Sequence, residues 1–487
     1  MSNRPETNKQ SCPVYKKCGG CQLQNLSYPE QLEFKQRKVE KLLKRFCTVE
    51  KIIGMKTPYH YRNKVQAAFY TDKKGKIISG VYQSGSHHVV GIDSCQTEDV
   101  IADKIIVAVR KLLPSFRMTT YNEDTGKGFL RHILVKRGFA TNQIMLVLVT
   151  GTPVFPSKNN FVKAILKQFP EITTIVQNIN PYRTNLVLGD NQKVLYGKGY
   201  IEDILCGCKF RISPKSFYQI NPVQTEVLYG KAIEFANLKG NETVLDTYCG
   251  IGTIGIIAAK NGAGNVIGAE LNGDAVRDAI VNARANNLKN IRFYKADAGE
   301  FMREAADEDE KPDIVFMDPP RAGSDRKFLD SLIKMSPKKV VYVSCNPETL
   351  ARDLAYLTQN SPYKAQKIQP VDMFPHTAHI ETVVLLSQLK QKPDDYINVT
   401  IELDDMDVTS AETKVTYDEI KKYVAEHNDG MKVSNLYISQ VKKKCGIEVG
   451  KNYNMPKADD SKQPQCPEEK EKAIVEALEH FKMIQQK

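Results

Sequence analysis

Between residues 206 and 390 the sequence alternates short apolar runs with longer stretches of helical periodicity, a rhythm that few folds accept. Thr243-Val-Leu-Asp246, Val266-Ile-Gly-Ala-Glu270, Ile291-Arg-Phe-Tyr294, Asp313-Ile-Val-Phe-Met-Asp318 and Val340-Val-Tyr-Val-Ser344 read as buried strands. Ala275 to Asn287 and Glu348 to Leu357 read as helices between them. Strands with no wet face, separated by helices, predict a parallel sheet covered on both sides. A last strand, Ile380 to Leu386, follows a loop that contains Pro375.

The other regions have different textures. A chain of 487 residues suggests about three domains. Residues 1–59 hold a cysteine cluster and a helix-like stretch, Pro29 to Arg45. That stretch sets Leu32, Val39, Leu42 and Leu43 on an apolar face and six basic residues elsewhere. Residues 60–205 read as a β-rich domain. Phe129 to Val135 and Ile144 to Thr150, parted by Arg137-Gly138 and Thr141-Asn142, predict an antiparallel hairpin. Residues 206–390 are the alternating α/β domain. Residues 391–487 form a C-terminal extension behind a linker-like Gln391-Lys-Pro-Asp-Asp395. In it, Tyr417 to His427 and Glu468 to Lys482 read as helices, and Ser434 caps a short basic helix ending in Lys442 to Lys444. Those lysines suit phosphate contact.

Composition narrows the function classes. A 41% hydrophobic and 26% charged chain is an ordinary soluble one. The longest apolar run, Ile144 to Val149, is six residues, against roughly 18 for a membrane helix. Met1 to Gln10 is polar, so no export signal and a cytoplasmic location are expected. Lys plus Arg (69) exceed Asp plus Glu (57) by 12, which fits a polyanionic partner. Eleven cysteines, an odd number, argue against a secreted disulfide scaffold. With no Trp, base stacking falls to Phe, Tyr, His or Arg.

Asp246-Thr-Tyr-Cys-Gly250-Ile-Gly252-Thr-Ile-Gly255 sits where a strand gives way to a helix. Its GxGxxG string serves a dinucleotide, S-adenosylmethionine or a tight turn equally well. Glu270, ending the next strand, is placed to accept ribose hydroxyls. Two features favour S-adenosylmethionine. Asp246 ahead of the glycines suits a cationic amino-acid cofactor better than a pyrophosphate, and Asp318-Pro-Pro-Arg321 is a rigid loop on the substrate side.

The fifth strand ends in Ser344-Cys345-Asn346-Pro347. Carboxyl ends of strands face the ligand crevice in such sheets, so Cys345 is expected beside the cofactor and Asp318 rather than as an inert buried thiol. Carbon 5 of a pyrimidine is too weak a nucleophile to attack a sulfonium methyl. A thiolate adding at carbon 6 makes it electron-rich. A base must then remove the carbon 5 hydrogen. Glu381, in His379-Ile-Glu-Thr-Val383, is the candidate base. Asp318 is expected to face the imide N–H of uracil, which cytosine lacks.

Cys12-Pro-Val-Tyr-Lys-Lys-Cys18-Gly-Gly-Cys21 has C-x5-C-x2-C spacing. Three thiolates need a fourth ligand, and Cys95 is the nearest later candidate. The spacing leaves zinc and an iron–sulfur cluster both open.

Phe217-Tyr-Gln-Ile-Asn221, the glycine loop, DPPR, SCNP and HxETV, in this order, resemble the RNA 5-methyluridine methyltransferases, nearest the 23S rRNA (uracil-C5) branch, over roughly residues 12 to 390. The resemblance implies an α/β, Rossmann-like S-adenosylmethionine methyltransferase domain, which the sequence texture places after a mixed β-rich domain and before a small helical appendage. It makes Cys345 the nucleophile and Glu381 the base. Gln219, Tyr248, Glu270, Asp297 and Asp318 line the cofactor and substrate crevice, and Phe217 stacks near the target base. It also implies a [4Fe-4S] cluster on Cys12, Cys18, Cys21 and Cys95. The expected partner is RNA, 23S rRNA in the first place, with no membrane and no protein partner. Eleven residues precede Cys12, so the β-barrel that many ribosomal members carry ahead of the cysteines is not expected. The rivals are the same chemistry on the T-loop of tRNA, a non-catalytic RNA-binding or ribosome-assembly factor, and amino-group methylation. Intact Cys345 and Glu381 argue against the second. Amino-group methylation needs no cysteine and usually carries an Asn-Pro-Pro-Tyr type of loop in place of Asp318-Pro-Pro-Arg321.

Overall fold

The computed structural model describes residues 12–83, 86, 88–184, 186–308, 311–388, 416–447, 466–481 and 483–484. The chain separates into two units, Met1–Gln391 and Lys392–Lys487. The linker-like segment at 391–395 lies outside the described residues.

The first unit opens with α1 (Tyr15–Cys18) and α2 (Tyr28–Leu43). α2 starts at a reciprocal cap, in which the Glu30 carboxylate accepts from the backbone N–H and the hydroxyl of Ser27, both at 2.7 Å. Its buried face carries Val39 and Leu43, as the pattern predicts, but also Gln31 and Lys35. Lys35 therefore leaves the basic face assigned to it and is wholly buried. Its counter-charge, Asp372, is 337 residues away, beyond the reach of any local pattern.

A seven-stranded sheet follows, built from β1 (Lys64–Thr71), β2 (Ile77–Tyr82), β3 (Val89–Gly91), β4 (Leu130–Arg137), β5 (Ile144–Thr150), β6 (Ile172–Ile179) and β7 (Asn191–Tyr196) in the order β3-β2-β1-β4-β5-β6-β7. β4 and β5 form the predicted antiparallel hairpin. β5 and β6 are parallel, so a crossover must join them, and α4 (Lys158–Gln168) supplies it. α3 (Val100–Leu112) and α4 share one apolar core with this sheet. The hairpin of β8 (Ile201–Leu205) and β9 (Cys208–Ile212) leads onward.

The second large sheet comprises β10 (Thr243–Asp246), β11 (Asn265–Glu270), β12 (Ile291–Lys295), β13 (Ile314–Met317), β14 (Lys339–Ser344), β15 (Tyr363–Val371) and β16 (Glu381–Gln388), in the order β12-β11-β10-β13-β14-β16-β15. β10 to β14 run parallel, as the alternation predicts. β16 runs antiparallel to both β14 and β15, so the sheet is mixed rather than all parallel. β15 escapes sequence reading because a register shift between Ala365 and Lys367 breaks its alternation.

Helices α5 (Pro222–Ala236), α6 (Thr253–Lys260) and α7 (Gly273–Ala285) bury apolar residues on one face of this sheet. α8 (Ala298–Asp307), α9 (Arg326–Met335) and α10 (Pro347–Asn360) do so on the other, joined by Val39 and Leu43 of α2. The strand order reverses between β10 and β13. In open α/β sheets that point, at the carboxyl ends, is where ligands bind.

The second unit holds α11 (Tyr417–His427), α12 (Asn435–Lys444) and α13 (Glu468–His480) around its own core of Ile420, Val424, Ile438, Val441, Ile474 and Leu478. Ser434 caps α12, its hydroxyl accepting from Tyr437 N at 3.3 Å. Of the lysines Lys442 to Lys444, Lys443 and Lys444 are exposed. Lys442 is buried over the Tyr417 ring at 4.9 Å, and Lys444 is bonded to Glu471 at 2.7 Å. No helix among the described residues is long and apolar enough to cross a membrane.

Candidate active site

The glycine loop lies at the carboxyl end of β10. Gly252 has φ +83°, and a Cβ there would come within 2.8 Å of Phe293 Cζ, so glycine is required on both counts. Gly255 N donates to Asp246 Oδ2 at 2.9 Å. The other oxygen, Oδ1, is buried without a partner. Burial pushes the Asp246 carboxyl up to about 7, with the charges of Asp318 and Glu270 adding to it. Glu270 braces the loop from the next strand end, accepting from Gly250 N at 3.1 Å and Asn272 N at 2.7 Å.

The remaining predicted residues have these settings. The Tyr248 ring packs tilted against Phe328, centroids 5.5 Å apart, and its hydroxyl lies 3.4 Å from Ser324 Oγ. Gln219 precedes α5. Its carbonyl accepts from Asn63 Nδ2 at 3.0 Å, and its side chain reaches the buried Tyr229 hydroxyl. Phe217 is 63% exposed, an unusual state for a phenyl ring. Asp297 is exposed and caps α8, accepting from Gly299 N at 2.9 Å and Glu300 N at 3.1 Å.

Cys345 immediately follows β14, and Asn346 then caps α10 by accepting from Glu348 N at 3.1 Å. The β14–β16 ladder pairs Ser344 with Thr382, so its next step sets Cys345 opposite Glu381. The electrostatics agree with this register. Burial first, then the charges of Glu381 and Asp318, push the Cys345 thiol up to about 11, and Arg321 opposes them. Burial, with Asp318 adding, holds the Glu381 carboxyl well above the usual carboxylate range. Burial alone pushes Asp318 up to about 7. A thiol and two acids, each disfavoured as anions, thus share one crevice.

Sequence reasoning missed the residues that brace the Asp318–Arg321 loop. Asn346 Nδ2 and Thr349 Oγ1 each donate to Arg321 O at 3.2 Å. Arg352 Nη2 donates to Ala322 O at 2.9 Å and Ser324 O at 3.1 Å. Buried Asp353 Oδ2 accepts from Ser324 N at 2.9 Å and from the Tyr342 hydroxyl at 2.7 Å. An acid in the middle of a helix carries no local signal for such a role.

Cys12, Cys18, Cys21 and Cys95 line one cavity. Burial first, then Cys95, pushes the Cys21 thiol up to about 12. Among the described residues no group of three His, Cys, Asp or Glu has the geometry to hold a metal ion.

A family model described as tRNA (uracil-5-)-methyltransferase matches residues 177–389. An uncharacterized RNA methyltransferase of Bacillus cereus is 44% identical over 392 residues, covering 80% of this chain and 85% of the relative. One from Listeria monocytogenes is 46% identical over 379 residues, covering 77% and 83%. The crystal structure of Pyrococcus abyssi tRNA (uracil-54, C5)-methyltransferase in complex with S-adenosyl-L-homocysteine matches with a TM-score of 0.64 at 30% identity, covering 78% of this chain and 87% of that one.

Proposed function

Because this chain belongs to the S-adenosylmethionine-dependent RNA (uracil-C5)-methyltransferase family, we propose that it methylates carbon 5 of a uridine in 23S rRNA through a covalent Cys345 adduct. The observation that carries this reading is the electrostatic coupling of Cys345 to Glu381 and Asp318 at the strand ends.

S-adenosylmethionine supplies an electrophilic methyl group on a cationic sulfur. The crevice residues suit a cation, since Asp246 and Asp318 are both acids held up to about 7 by burial, and the free Asp246 Oδ1 is an acceptor without a donor. Gln219, Tyr248, Glu270 and Asp297 complete the cofactor wall. The uridine must leave its stack to enter, and exposed Phe217 offers a face for it. Asp318 accepts from the imide N–H.

The Cys345 thiolate forms a bond to carbon 6, and the 5,6 π-pair moves into an enolate. Carbon 5 bonds the methyl group. Glu381 takes the proton from carbon 5, the double bond reforms, and the carbon 6–sulfur bond breaks to return the thiolate. The products are 5-methyluridine, S-adenosylhomocysteine and one proton. A carboxylate with a raised pKa is a stronger base, which suits the last step.

The four-cysteine cavity is assigned to a [4Fe-4S] cluster. Four thiols around one cavity suit iron–sulfur ligation. The choice of cluster over a single zinc ion follows the resemblance of the cysteine pattern to that of the family. Methyl transfer needs no electron, so the cysteines serve structure or RNA orientation.

A second reading is T-loop methylation of tRNA, favoured by the likeness to a tRNA uracil-54 enzyme. The kinship of the motif set with the ribosomal branch supports rRNA. Incubation with 5-fluorouridine-containing rRNA and tRNA fragments, followed by mass spectrometry of the trapped peptide, tests both. The expected product is a Cys345 adduct with an rRNA fragment. An adduct with tRNA alone would select the second reading, and none with either would overturn the mechanism.

A further inference from the structure

The loop Asp372–His379 delivers Glu381 to the crevice, and the N-terminal region grips it along most of its length. Lys35 Nζ donates to Asp372 Oδ1 at 2.5 Å and to Phe374 O at 3.0 Å. The Tyr28 hydroxyl donates to Asp372 Oδ2 at 2.9 Å, and the Tyr61 hydroxyl to Pro375 O at 3.0 Å. Leu23 N donates to His376 O at 2.9 Å, and Ala378 N donates to Gln22 Oε1 at 3.2 Å.

Gln31 makes the most specific contact. Its Oε1 accepts from His376 N at 2.9 Å, which fixes the amide orientation and turns Nε2 toward His376 Nδ1, 3.2 Å away. His376 Nε2 lies 2.9 Å from Pro58 O, so it carries the ring proton. Both ring nitrogens are thus used by one neutral tautomer. His376 also has φ +69°, a left-handed conformation that a non-glycine residue keeps only when its surroundings hold it.

We infer that Gln31 and Tyr61 are positioning residues for Glu381, holding the His376 turn so that the carboxylate reaches the carbon 5 hydrogen after methyl transfer. This rests on the assignment of Glu381 as the base. The grip acts on the elimination step and spares adduct formation, because Cys345 is carried by β14 and not by this loop.

The test uses the full chain with Tyr61→Phe and Gln31→Leu. Tyr61→Phe removes one hydroxyl and keeps the ring, so it retains the fold even where Gln31→Leu does not. With 5-fluorouridine RNA, where elimination is blocked, both should trap Cys345 within about twofold of the wild-type rate. With ordinary RNA, turnover should fall about tenfold and a protein–RNA adduct should build up on a denaturing gel. Equal loss in both assays, or loss in neither, would overturn the inference. Glu381→Gln is the reference: if it accumulates no adduct, the base assignment itself fails, whatever the other variants do.

Discussion

The ammonium of Lys35 lies 2.5 Å from Asp372 Oδ1, and both side chains are completely buried. The pair bridges the N-terminal helix and the segment that leads into β16, two pieces of chain that share no local sequence signal. Burial depresses the Lys35 pKa, and Asp372 opposes that effect.

Removing one partner of such a pair leaves an uncompensated buried charge. Lys35→Met should therefore destabilise the protein by about 3–5 kcal/mol. Lys35→Met with Asp372→Leu should recover part of that loss, since it removes the uncompensated charge while the Tyr28 hydroxyl and the Phe374 carbonyl still lose a partner. Urea unfolding of the three proteins decides the matter. Equal losses in the single and double variants would show that shape, not charge, holds the joint.

Cys345 and Glu381 should separate cleanly by step. Cys345→Ala should abolish methyl transfer yet retain S-adenosylmethionine binding, because the glycine loop follows β10 and the thiol follows β14. Glu381→Gln should retain the first bond-forming step and stall with RNA attached. Residual Cys345→Ala turnover near wild type would remove the nucleophile assignment.

Cofactor affinity should depend on pH. Asp246 and Asp318, held up to about 7, are protonated at pH 6 and ionised at pH 8. A cation prefers the ionised form, so S-adenosylmethionine should bind more tightly as pH rises through this window. The gain is up to about tenfold per pH unit for each coupled group below its pKa. The ligand-free fold shows the opposite sign. Its raised carboxyls favour the folded state in acid, and that contribution fades as pH rises toward 7. S-adenosylhomocysteine, lacking the sulfonium charge, should show a shallower slope. Calorimetric titrations at pH 6 and 8 with both ligands give the comparison, and identical slopes would contradict the acidic-crevice account.

Protein purified without oxygen should be brown and contain about four irons per chain. Cys21→Ser should lower the iron content. Stoichiometric zinc, or full iron in that variant, would remove the cluster assignment.

Much of the methyltransferase sheet can be read from the sequence, because its central strands are buried and their apolar runs are continuous; β12, expected as a buried strand, is instead an edge strand with no buried residue. The Asp246–Gly255 loop, the DPPR turn and the Cys345 strand end stand out for a related reason. Each breaks an apolar run with residues that burial alone would not choose. The β4–β5 hairpin is visible from its paired β-rich runs. β15 is hidden by its bulge, and the antiparallel course of β16 by the absence of any sequence mark for strand direction. Asp297 also caps α8 through Oδ1, a local role that the residue type and its place before a helix make legible.

The sequence by itself determined the elements that depend on neighbours a few positions away: apolar periodicity, glycine turns, Asx caps and the ordered set of reactive motifs. Only the tertiary structure decided that Lys35 goes inside, that Asp353 braces the substrate loop, that the four cysteines share a cavity and that Cys345 stands opposite Glu381. Periodicity reports which side of a segment avoids water. A buried charge or a strand register is settled by a partner hundreds of residues away, whose arrival depends on the completed fold.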